Sequence, residues 1–178
     1  MEGTIAAPIR HVTAMIWESD LGTLAGTLTR WEVLEAETSA PFRRRVFYIS
    51  KLPWPFMDRA FHIRAGVERP APNSVGIISA SVSEPDLHDR AGSAVWGDVL
   101  FSGYHLKSLG SRTTWLRRII GIELGLAMPR GMMRWSLIKV YRGNYRWMNQ
   151  AAGSDLMRRL EERMARDPLY ASLGNDPD

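Results

Sequence analysis

The chain contains no cysteine, which excludes disulfides and thiolate metal sites. Long apolar runs are missing too. The longest, "IIGIELGLAM" over residues 119–128, has about half the length of a membrane-spanning helix and carries Glu123. Near the N-terminus Arg10, His11 and Glu18 interrupt each apolar stretch, so no signal peptide is expected. Together these absences predict a soluble, cytoplasmic chain. The four histidines, His11, His62, His88 and His105, are widely spaced and form no H-E-x-x-H. There is no G-x-S-x-G elbow, P-loop or G-x-G-x-x-G. Neither a metal nor another cofactor is expected. Arginines are abundant, but no zinc-finger spacing or base-stacking motif accompanies them, so nucleic acid is not an expected partner.

What is present is an ordinary globular composition, 45% hydrophobic and 24% charged in 178 residues. That length suits one domain, read as residues 1–167 with a flexible tail over 168–178. The net charge of +4 permits contact with an anionic membrane surface, at which the protein would be peripheral. The excess lies in short clusters such as Arg43, Arg44 and Arg45, which also read as solvated surface.

Hydrophobic periodicity then orders the chain. Residues 3–5 read as a strand end. Ile9, Val12, Met15 and Ile16 recur at helical spacing after Pro8, which suits a first helical turn. "TRWEVLEAE" and "RRVFYISKL" read as strands, the second stopped by Pro53 and Pro55, which remove ladder donors. "MDRAFHIRAGVER" is the next strand and "RPAPNS" a turn. "GIISASVS" alternates, with Ile78, Ala80 and Val82 on one side and Ser79, Ser81 and Ser83 on the other. "AVWGDVLFSGYHLKSL" reads as a bent strand. "RTTWLRRIIGIEL" is apolar on both faces, which predicts cover on both sides of part of it.

After Pro129 the period changes. Met132, Met133, Leu137, Val140, Tyr141 and Met148 give a helix with one apolar stripe, with Gly143 as a candidate break. A second helix begins at an N-cap, Ser154, and packs by Leu156, Met157, Leu160 and Met164 before Pro168 ends it. Strands in a block followed by helices predict an α+β fold with an antiparallel sheet.

The polar residues in strands leave alternatives open. Asp58 and Arg59 read as an ion pair or as surface charge. Asp98 and Glu123 lie in apolar strands, where a carboxylate is either paired or orients a ligand. His62 and His105 read as satisfied core or rim histidines. The methionines and tryptophans of the C-terminal third are core packing or an adaptable apolar surface.

At this point four segments resemble the START family, the steroidogenic-acute-regulatory-related lipid-transfer domains of the Bet v 1-like helix-grip superfamily. They are "GTIAAPIRHVTAMIWESD", "YISKLPWPFMDRAF", "VGIISASVSEPD" with "VWGDVLFSGYHLKSL", and "IELGLAMPRGMMRWSLIKVYRGNYRWM". The resemblance spans roughly residues 3–150, and Pro-Trp-Pro-Phe is its most specific piece. It implies a curved sheet gripping a long C-terminal helix. Members usually carry a further helix and strand ahead of this point, which implies a smaller sheet or an N-terminally shortened chain. The family's Arg-Asp-Phe is Arg59-Ala60-Phe61 here. A cavity arginine found six residues after the first in several members falls on Ala65. Arg64 is one residue short, and alternation turns it to the opposite face unless a bulge intervenes.

The expected function is therefore a non-catalytic lipid-binding or lipid-transfer module with a sterol, phospholipid or ceramide-class ligand. Its cavity would be lined by Trp54, Phe61, Tyr104, Trp115, Met133, Leu137 and Tyr141, with Arg64, Asp98 and Glu123 at the polar end. An enzyme of the cyclase or hydrolase kind on the same fold is the alternative. It would need an acid–base pair such as His62 or His105 with Asp98. A degenerate interaction scaffold is the third reading.

Overall fold

The computed structural model describes residues 2–18, 28–37, 42–52, 56–83, 85–124, 130–151 and 155–173. Strand β1 (Glu2–Ile5) precedes helix α1 (Ile9–Trp17), and three strands follow, β2 (Leu28–Ala36), β3 (Arg43–Ser50) and β4 (Arg59–Ala71). After β5 (Ser74–Ser81) come a 3-10 helix (Pro85–Ala91), β6 (Val95–Trp96), β7 (Asp98–Ser108) and β8 (Thr114–Glu123). Three helices close the described chain, α2 (Arg130–Ala151), α3 (Asp155–Met164) and α4 (Pro168–Ser172). The sheet order is β1-β8-β7-β5-β4-β3-β2, antiparallel throughout, with β6 added in parallel to β4. This is the expected α+β arrangement of a curved sheet and C-terminal helices.

The main core lies at one end of the inner face. Val12 and Met15 of α1 pack there with Leu106 and Leu116 of the sheet and Leu160 of α3. The helical spacing of α1 therefore places its apolar face where the sequence predicts. Met157, Leu160 and Met164 form the buried face of α3. The N-cap expected at Ser154 lies outside the described residues.

Several expectations are corrected. Residues 168–173 are not a free tail. Asp167 caps α4 by accepting the Leu169 N–H at 2.8 Å, and Leu169, Tyr170 and Leu173 are buried. Tyr170 donates its hydroxyl to Glu18 at 3.0 Å. Pro168 thus opens a helix, as proline can at a first turn. Gly143 does not break α2, which runs through it. Met132 leaves the apolar stripe and is exposed.

In β5 the alternation is as expected, but the isoleucine–alanine side faces out. Ile78 is 52% exposed while Ile77 is buried on the inner face with Ser79. β8 is not covered on both sides by any described element. Ile119 is 50% exposed and lies one strand from Gly103, which neighbours Ile78. The outer apolar residues pack along the sheet rather than beneath a second layer. Phe101 does this over Gly121, its ring carbon 2.6 Å from where a Cβ would stand.

Elsewhere the outer face does carry a small second core. Phe47 and Ala60 are buried there against Ala91, and Trp96 meets the Phe47 ring edge-on at 5.9 Å. Between them Gly97 has no room for a side chain. A Cβ would stand 2.8 Å from Phe61 and 3.0 Å from the Glu123 carbonyl oxygen. Gly97→Ala is expected to cost about 1–3 kcal/mol, because the backbone carbonyl cannot give way. Gly103→Ala meets nothing within 4 Å and should change stability by less than about 1 kcal/mol. Paired urea melts check the contrast.

Candidate functional site

Alternation along the strands decides which side chains meet beneath α2. Residues 61, 63 and 65 of β4, 77 and 79 of β5, and 118, 120 and 122 of β8 share the inner face. The helix stands off this face and leaves a hollow of about 260 Å³. Its floor is largely apolar, with Phe61, Ile63, Ile77, Val99, Ile122 and Leu124. Met133, Leu137 and Tyr141 look in from α2 at four-residue spacing, one face of a helix. A row of aromatics crosses three strands in register: Trp31 on Tyr48 at 5.8 Å, and Tyr48 stacked on Phe61 at 5.0 Å.

Two guanidiniums enter this apolar space. Arg44 lies 3.9 Å from the Trp17 ring centre and 5.4 Å from that of Trp31. Arg118 lies between the rings of Tyr104 and Tyr141, at 4.6 and 4.7 Å. A desolvated cation over aromatic faces gains from the ring quadrupole. Burial pushes the hydroxyls of Tyr48, Tyr104 and Tyr141 above the usual phenol range, and the Arg118 charge pulls the other way. Tyr48 and Tyr104 keep partial accessibility because they border the hollow. Ser79 and Ser102 face each other across β5 and β7 on the floor.

Of the residues expected to line the cavity, the structure brings together Phe61, Tyr104, Met133, Leu137 and Tyr141. Trp54, with Pro53 and Pro55, lies outside the described residues. Trp115 does not join them. It is on the outer face of β8, its ring edge-on to His105 at 5.5 Å.

All three residues expected at the polar end are exposed and away from the hollow. The β3–β4 register is unbroken from Arg59 to Gly66, so no bulge rescues Arg64. Asp98 and Glu123 are cross-strand neighbours on the outer side. Arg44, Tyr48 and Arg118 take their place. Their signal was parity: Arg44 alternates with Val46 and Tyr48, and Arg118 with Leu116 and Ile120. Reading the arginine runs as surface clusters hid it.

The expectation of surface charge at Asp58 and Arg59 fails for the arginine. Arg59 is wholly buried. Its Nε donates to the Leu124 carbonyl at 2.7 Å and its Nη1 to the Met57 carbonyl at 2.6 Å. It ties the start of β4 to the end of β8.

The pair required by the enzymatic alternative is not assembled. His62 Nδ1 is 3.0 Å from the Val82 carbonyl, His105 Nε2 is 2.8 Å from Ser74 Oγ, and neither lines the hollow with Asp98. Among the described residues no three metal-ligating side chains converge. No described helix is long and apolar enough to cross a membrane.

No protein-family model matches the chain, and no curated protein matches it in sequence. Solved structures do match. Human STARD10 superposes with a TM-score of 0.76 at 12% identity, over 99% of this chain and 71% of that one. Human StAR-related lipid transfer protein 5 gives 0.73 at 14%, over 85% and 73%. A fragment of the STAR-related lipid transfer protein of Xanthomonas axonopodis gives 0.68 at 12%, over 86% and 84%. The chain therefore has the START-type, Bet v 1-like helix-grip fold.

Proposed function

We propose that this protein is a lipid-binding module that holds one hydrophobic ligand between the sheet and α2. The observation that carries this reading is the hollow itself. Its lining is mostly aliphatic and aromatic, with a few polar groups that include Arg44, Ser79, Ser102 and Arg118. Each CH₂ moved from water into such a lining contributes about 0.8 kcal/mol. Phe61, Tyr104, Met133, Leu137 and Tyr141 would contact the chain of the ligand. Two of the similar structures are themselves described as lipid transfer proteins.

The volume of about 260 Å³ is near the lower end for small-molecule sites, roughly 300–1,000 Å³. A sterol, phospholipid or ceramide would therefore need α2 to move outward, and one acyl chain would fit with less movement. The outer side of α2 supports contact with an anionic membrane during that movement. Met132, Trp135 and Ile138 are exposed there, with the Lys139 ammonium 5.1 Å from the Trp135 ring.

Native mass spectrometry of the purified protein tests the reading. The expected result is a discrete added mass that is released on denaturation and identified as a lipid. A bare protein mass, still bare after incubation with mixed-lipid vesicles, would overturn it.

A further inference from the structure

We infer that the tyrosine end of the hollow binds the carboxylate head of a single-chain lipid, with Arg118 as its charge partner. The inference rests on the lipid-binding reading and names the ligand class. Three observations carry it. First, Arg118 is held between Tyr104 and Tyr141. Stacking uses the faces of a guanidinium, and its in-plane N–H groups suit a two-oxygen anion.

Second, the surrounding hydroxyls suit an acceptor. Phenols are neutral at ordinary pH, and burial raises those of Tyr48, Tyr104 and Tyr141 further. Neutral phenols can donate to a carboxylate. The Tyr141 oxygen is buried and has no hydrogen-bond partner among the described residues, a cost that a ligand oxygen would remove. The lining includes two guanidiniums and, among the described residues, no carboxylate. A quaternary ammonium head would be repelled from the Tyr104–Tyr141 pair, since Arg118 already occupies that place.

Third, the volume of about 260 Å³ favours one chain over two. From the tyrosine cluster the chain can run along the apolar floor over Phe61, Ile63 and Ile122. Arg44 is less suited to be the head-group partner. It forms part of the wall to a second, outer cleft, where Glu18, Glu37 and Asp167 add carboxylates.

Calorimetric titration with dodecanoate and with dodecan-1-ol tests this, at about pH 8 where the acid is ionised. The two probes share a chain and differ in the head. The wild type should bind dodecanoate about tenfold or more tightly than the alcohol, as a charge-assisted hydrogen bond exceeds a neutral one. Arg118→Gln should abolish that preference, so that the two probes bind with equal affinity. Tyr141→Phe should weaken dodecanoate binding by roughly threefold to tenfold.

Equal affinity for the two probes in the wild type, or a preference retained in Arg118→Gln, would overturn the inference while leaving the lipid-binding reading intact. Failure of both probes to bind would overturn the inference, and the native mass spectrum after incubation with mixed-lipid vesicles decides the lipid-binding reading separately. Melting curves confirm that each variant is folded. Should Arg118→Gln not fold, the wild-type ratio and Tyr141→Phe decide.

Discussion

Arg59→Met is expected to lose about 3–5 kcal/mol of stability, the largest effect of any single polar substitution argued for this chain. The guanidinium is fully buried and donates to carbonyls on two segments, Met57 before β4 and Leu124 after β8. Methionine fills much of the space but leaves both carbonyls without a donor. The Leu124 carbonyl is buried and carries the full desolvation penalty once unsatisfied, whereas the Met57 carbonyl, on an exposed residue, can turn to water. For a chain of this size the melting temperature should fall by roughly 6–20 °C. Arg59→Lys should recover less than half of that, since one ammonium cannot reproduce the divergent Nε and Nη1 donors. A melt within about 2 °C of wild type for Arg59→Met would show that the contact does not hold these strand ends together.

The second large effect concerns the hollow. Ser102→Phe places a ring over the floor of the cavity, opposite Ser79. The ring would fill space that a ligand otherwise takes. The expected result is loss of bound lipid, by about tenfold or more in affinity, equivalent to roughly 1.4 kcal/mol or more. The ligand-free protein should at the same time gain about 0.5–2 kcal/mol, because filling a void adds packing contacts. Opposite signs for binding and stability distinguish a filled cavity from a damaged fold. Ile78→Phe, on the exposed outer face, is the control and should change neither. Wild-type lipid occupancy in Ser102→Phe, measured by native mass spectrometry, would place the ligand outside the hollow. The outer cleft beside Arg43 and Arg166 would then be the next place to look.

Much of the architecture was legible in the chain. The helical spacing of Ile9, Val12 and Met15 predicted the buried face of α1, and the paired prolines after Leu52 predicted the end of a strand. Met133, Leu137 and Tyr141 repeat every four residues, so their common face was readable without a structure. Residues 168–173 were misread because a six-residue segment is too short to show a helical period. Leu169 and Tyr170 become core only in the packed cluster they share with α3 and with α1, the latter far away in sequence.

The candidate site divides in the same way. While Phe61 and Tyr104 were cavity residues implied by the family resemblance, period and composition alone determined that this is a sheet block followed by amphipathic helices with an apolar stripe on α2. They could not determine which parity of each strand faces inward, because serine and arginine lie on inner positions beside a hollow and isoleucine lies on outer ones. Strand alternation gives two faces, and hydropathy chooses between them only where the buried face is solidly packed. Around a cavity that rule fails. Arg44 and Arg118 therefore read as surface charge in the chain, while Arg64, Asp98 and Glu123 read as cavity groups. Only the tertiary structure decided the matter, by fixing an unbroken β3–β4 register and by bringing tyrosines from β7 and α2 onto one guanidinium.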